Sequence, residues 1–85
     1  MRHSTFSEIM LYPANLINDD DKILVTFDDI PEAITFGKDR YEALIHAKDA
    51  LDTALSFYAE RGLPLPKASK PKPDQFLVSA TLAPG

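Results

Sequence analysis

The sequence has no cysteine, no tryptophan, only three glycines and only two histidines in 85 residues. Without cysteine there is no disulfide staple and no thiolate metal centre. With glycine confined to Gly37, Gly62 and Gly85, no glycine-rich phosphate loop can form. His3 and His46 stand too far apart in sequence for a typical histidine-rich metal cluster. No apolar run approaches the ~20 residues of a membrane-spanning helix, and no signal-peptide pattern opens the chain. These absences predict a cytoplasmic protein with no cofactor, no metal and no membrane attachment. A single domain of this size buries only about 60–65% of its unfolded surface and is marginally stable. Self-association to a dimer or higher oligomer, or a bound partner, is expected to add stability.

The charge that is present is uneven. Residues 1–62 hold six Lys/Arg against twelve Asp/Glu, a balance of −6. The remainder holds Lys67, Lys70 and Lys72 against Asp74, a balance of +2. An acidic body lacks the basic face that nucleic acid requires, so direct nucleic-acid binding is not expected. It suits a partner that is itself basic.

The strongest local signal runs from Asp39 to Gly62. Leu44, Ala47, Ala50, Leu51, Ala54, Leu55 and Tyr58 recur at spacings of three and four, which stack on one side of a helix. Asp39 is a helix-capping residue, and Glu42 three positions on can reach back to the Asp39 N–H. Gly62 can turn the chain after the last helical turn, and Pro64 forbids continuation.

The rest of the chain is short and extended. Residues 10–17 alternate, with Tyr12, Ala14 and Leu16 on one face and Leu11, Asn15 and Ile17 on the other. Pro13 has no N–H, which predicts an edge strand or a position turned away from its neighbour. Asn18 to Asp21 are turn residues, and residues 22–27 place Ile23, Val25 and Phe27 on one face. Residues 28–32 form a second turn, 33–36 a third strand, and Gly37 permits a sharp entry to the helix. Residues 63–74 form a stiff, basic, proline-rich connector, and 75–82 a last strand. The order β-β-β-α-β predicts an α+β domain, a small antiparallel-rich sheet with one long helix across one face. Residues 1–9 read as an N-terminal extension, 10–82 as the domain and 83–85 as a tail.

Three features carry possible chemistry. The acids Asp19, Asp20, Asp21, Asp28, Asp29 and Glu32 could hold a divalent cation. They lack the alternating spacing of a calcium loop, however, and turns favour Asp for backbone reasons alone. They could instead face the basic surface of a partner. His46 has Glu42 and Asp49 nearby on the helix, but no serine, cysteine or second histidine completes a catalytic set, so it reads as a solvent-facing residue. Lys67, Lys70 and Lys72 lack interleaved aromatics and read as a solubilising linker rather than an RNA site.

Several blocks in order carry a family resemblance. They are Tyr12-Pro13-Ala14, Val25 through Gly37, Glu42-Ala43, Ala47 through Leu51 and Leu63 through Pro66. This arrangement resembles the N-terminal domain of HicB-type antitoxins over about residues 10–82. The resemblance implies a partial ribonuclease H-like fold of β-β-β-α-β order. It implies a non-enzymatic antitoxin of a type II toxin-antitoxin system. The implied partner is a HicA-type toxin, a small basic mRNA-cleaving ribonuclease whose active-site histidine and RNA-binding surface the antitoxin covers. Full-length members continue into a DNA-binding domain, and no C-terminal DNA-binding domain or operator binding is expected of this chain. The expected toxin contacts are Asp28, Asp29 and Glu32, with Asp19, Asp20 and Asp21 behind them. The alternatives are a metal-dependent nuclease using the clustered carboxylates, and a structural oligomerisation domain.

Overall fold

The structure, a computed structural model, describes residues 8–82. Strand β1 spans Glu8–Asp19, β2 Lys22–Thr26, β3 Thr35–Gly37 and β4 Phe76–Leu82, with helix α1 at Arg40–Glu60 between β3 and β4. The fold is α+β, with the predicted element order. β1 begins two residues before the expected start, so Glu8 and Ile9 belong to the sheet. Of the two expected end segments, residues 1–7 and 83–85 lie outside the described residues.

The sheet order is β3-β2-β1-β4, every neighbouring pair antiparallel. β1 is therefore an interior strand, so of the two alternatives expected from Pro13 the edge strand does not hold and the position turned away from its neighbour remains. The strand changes partner midway. Glu8 to Ala14 pair with β4, and Asn15 to Asp19 pair with β2. Pro13 sits in the first half, opposite Leu77. Ser79 O and Thr81 N bond helix side chains outside the sheet. Antiparallel alternation then turns Leu77 outward too, and its partner Pro13 away from β4. The missing N–H of Pro13 thus removes no ladder bond.

Local chemistry sets the ends of α1. Glu42 N–H donates to Asp39 Oδ1 at 2.8 Å, so Asp39 caps the helix as predicted. The return bond differs from the expected one. Glu42 Oε1 accepts from the Lys38 N–H at 2.7 Å, one residue before the cap. At the other end Leu63 N–H donates to Tyr58 O and Gly62 N–H to Ala59 O, with Gly62 at φ +68°. This is a Schellman stop, which requires a left-handed residue that glycine adopts without a Cβ penalty. Gly37 ends β3 at the sharp entry to the helix, with α1 starting at Arg40. A Cβ there would lie 2.4 Å from the Ala43 nitrogen, so glycine lets β3 meet the first turn of α1 backbone to backbone.

The core lies between the curled sheet and the helix. Ala43, Ala47, Leu51, Ala54 and Leu55 form the buried helix stripe. They meet Tyr12 and Ala14 from β1, Val25 from β2, Val78 and Ala80 from β4, and Phe27, Ile30 and Ala33 after β2. Small alanines at 43, 47 and 54 let the helix sit close to the sheet. Leu44, Ala50 and Tyr58, expected in the stripe, lie partly exposed at its margins. No helix among the described residues is long and apolar enough to cross a membrane.

Candidate functional site

The six acids divide into two groups at opposite ends of the β1–β2 ladder. Asp19, Asp20 and Asp21 occupy the hairpin tip, exposed, with Asp19 opposite Lys22 in the register. Asp20 takes φ 57°, a left-handed conformation that aspartate tolerates. Asp28 lies near Asn15, five residues down β1 from Asp20, roughly 16 Å away at the rise of a strand. No group of three or more His, Asp or Glu among the described residues is placed to hold a metal ion. Asp19, Asp20 and Asp21 are therefore not brought together with Asp28.

The second group is bonded within the fold. Asp28 accepts from Asn15 Nδ2 at 2.9 Å and Gln75 Nε2 at 3.2 Å, with Lys72 Nζ 3.8 Å away. Asn15 Oδ1 also accepts from Gln75 Nε2, so a polar knot joins β1, the end of β2 and the start of β4. Asp29 accepts from the Ser69 N–H and hydroxyl, each at 3.0 Å. The buried Tyr12 donates its hydroxyl to Pro66 O at 2.6 Å. These bonds strap the proline-rich connector across the domain, and neither Ser69 nor Gln75 announces that role in sequence. Burial raises the pKa of Tyr12, and the Asp29 charge and Tyr58 add to the shift. Glu32 accepts from the Tyr58 hydroxyl at 3.0 and 3.1 Å, tying the loop after β2 to the helix. That hydrogen bond raises the pKa of Tyr58, with burial and the Glu32 charge reinforcing it.

The sheet curls far enough that both outer strands reach the helix. His46 and Lys48 lie roughly 200° apart around α1, and each meets a different strand. His46 Nδ1–H donates to Phe36 O of β3 at 2.8 Å. Lys48 Nζ donates to Ser79 O of β4 at 3.4 Å, and Asp52 Oδ1 accepts from the Thr81 N–H at 3.2 Å. Exposed strand edges are docking sites when their backbone groups are free. Here helix side chains occupy part of both edges, so His46 serves the fold and the edges offer a poor template for another strand.

What stays open is the flank of α1 beyond His46. A groove of about 540 Å³ lies between residues 32–35 and the helix, bordered by Glu32, Ile34, His46, Asp49, Ala54 and Phe57. A second of about 300 Å³ continues past Glu32, Ala54 and Phe57 to Arg61 and Leu63. Ile34 is 59% exposed, Phe57 55% and Leu63 49%. Of the expected contact acids only Glu32 borders these grooves. Sequence reasoning missed Ile34, Phe57 and Leu63. The available signal was that Phe57 falls outside the apolar stripe of its own helix.

The chain matches the family model described as "HicB_like antitoxin of bacterial toxin-antitoxin system" over residues 11–83. It is 48% identical over 62 residues to Antitoxin HicB 2 of Photorhabdus laumondii subsp. laumondii, covering 71% of this chain and 45% of that protein. It is 47% identical over 60 residues to Antitoxin HicB of Escherichia coli K12, covering 67% and 44%. The chain spans less than half the length of the curated relatives it matches.

Proposed function

The chain belongs to the HicB-like antitoxin family, and on that premise we propose that it binds and masks a HicA-type mRNA-cleaving ribonuclease. The family match over residues 11–83 carries this reading. The charge of −4 supports it, because a basic toxin surface is steered toward an acidic one. The chain acts by occupying the toxin, not by chemistry of its own.

Among the acids proposed as contacts, Glu32 is best placed, since it borders both grooves. Asp28 keeps an exposed side chain, but both Asp28 and Asp29 already hold the connector. Asp19, Asp20 and Asp21 lie exposed at the hairpin tip and are weaker candidates. Self-association to a dimer or larger assembly is compatible with this role.

The test is direct. Adding the purified chain to a purified HicA-type toxin should suppress cleavage of a reporter RNA in proportion to the chain added. Undiminished cleavage at a large excess of the chain would remove the reading.

A further inference from the structure

Among the described residues, three surfaces are apolar and uncovered. The outer face of the sheet carries Leu11, Ile17, Phe36 and Leu77, each about half exposed. It faces away from the helix around which the sheet curls, so it is convex, and Lys22 lies over the Phe36 ring. The outer face of α1 carries Tyr41 and Ile45 beside a depression of about 410 Å³ that also includes Lys48 and Asp49. The third surface is the pair of grooves along the His46 flank. Of the three, the larger of these grooves has exposed apolar walls and carboxylates at its border, with no lysine or arginine among its described lining residues.

The larger groove is walled by Ile34 on the loop and Phe57 on the helix, with Ala50 and Ala54 between them. Alanines there leave the depth that larger residues would fill. Glu32 and Asp49 stand on its border, and no lysine or arginine among the described residues lines it. Glu32 is fixed by the Tyr58 hydroxyl, which donates to it and leaves its remaining acceptor capacity outward. A site with an apolar slot and carboxylates at its rim matches a segment with an apolar anchor beside lysine or arginine.

We propose that the groove between Ile34 and Phe57 is the seat of the toxin, receiving one large apolar side chain between them and a basic side chain against Glu32 or Asp49. This rests on the antitoxin reading above and adds which surface and which partner chemistry carry it. The occupant is a basic partner and not a second copy of this chain, because two copies would bring Glu32 and Asp49 against their own like charges.

The test measures binding of the chain to a purified HicA-type toxin by calorimetry, alongside the mass of the chain alone by light scattering. Ile34→Glu with Phe57→Glu should weaken binding by about 30-fold or more, the loss of a central anchor. Asp49→Lys should weaken it about 10-fold, an effect that shrinks at high salt. Leu77→Asp, on the outer sheet face, should bind as the parent chain does. Thermal unfolding of each variant checks the fold, and Ile34→Ser replaces the double variant if that one unfolds. A parent chain that binds while the groove variants bind equally well overturns the inference and leaves the antitoxin reading standing. Loss of binding in Leu77→Asp instead would move the seat to the sheet face. A parent chain that fails to bind the toxin removes both. A parent dimer that the groove variants convert to monomer would make the groove a self-association surface and overturn the inference.

Discussion

The two flanks of helix α1 are built from the same kinds of residue and behave differently. On one flank Lys48 and Asp52 reach the edge of β4, and Arg40 at the helix start stacks 4.5 Å from the Phe76 ring. That flank is closed. On the other, His46 holds β3, but the loop after β2 then swings away and is tied back only through Glu32 and Tyr58. The space between those two ties is the larger groove. A helix with one partner strand on each side needs both ties for the fold, and the flank crossed by a loop instead of a strand is left open to another molecule.

Leu51 tests what both flanks share. It is fully buried between the sheet and the helix. Leu51→Ala should cost about 3–5 kcal/mol in denaturant unfolding, from lost burial and the cavity left behind. A marginal domain of this size should then be largely unfolded at 37 °C, and both flanks are lost together. Gly37→Ala strikes the end where helix and sheet first meet. Its Cβ would fall 2.4–2.8 Å from backbone atoms of Glu42 and Ala43, which cannot rotate away. We expect a loss of about 2–3 kcal/mol by the same measurement. A stability within experimental error of the parent would show that the helix start can shift outward freely.

Asp52→Ala opens the closed flank selectively. It removes an acceptor from the Thr81 N–H and the partner of Lys48 at 3.2 Å. Both interactions are partly exposed, so the expected cost is about 1 kcal/mol. The sharper readout is hydrogen exchange, since the Thr81 amide should lose protection while amides of β2 keep theirs. Equal loss across the sheet would mean that the clasp and the sheet are one cooperative unit.

The features legible in the sequence were those set by neighbours along the chain. Asp39, Gly62 and the alanine-leucine stripe of α1 act over one or two helical turns, and the structure places them as their spacing predicts. The position of β1 was not legible, because strand order depends on pairings between distant segments. Pro13 left two alternatives, an edge strand or a position turned away from its neighbour; the second holds, in a strand that becomes interior by changing partners at Asn15. Asp28 and Asp29 read as solvated turn residues or partner contacts because Ser69 and Gln75, which they bind, lie some forty residues or more away. The same distance hid the groove. Ile34 and Phe57 each look like ordinary apolar residues until the loop is laid beside the helix.

The tie across the open flank should be the weakest, and alkaline pH isolates it. Tyr58 donates its hydroxyl proton to Glu32, and its pKa is raised above the ordinary tyrosine value of 10.0. Tyr12 is shifted the same way. A raised pKa means the folded chain holds these protons at a pH where the unfolded chain has released them. Native protein then binds more protons than unfolded protein, so stability falls as pH rises above about 10 and is unaffected by these groups well below it. Urea unfolding at roughly pH 9 to 11 should show that decline, and Tyr58→Phe should make it shallower while leaving the contribution of Tyr12. The Tyr58→Phe variant should also free the loop carrying Glu32 and Ile34 without loosening β4 against Asp52. An unchanged alkaline slope in Tyr58→Phe would mean that the open flank is held by the buried Ile30 and Ala33 alone, and that the hydroxyl only orients Glu32.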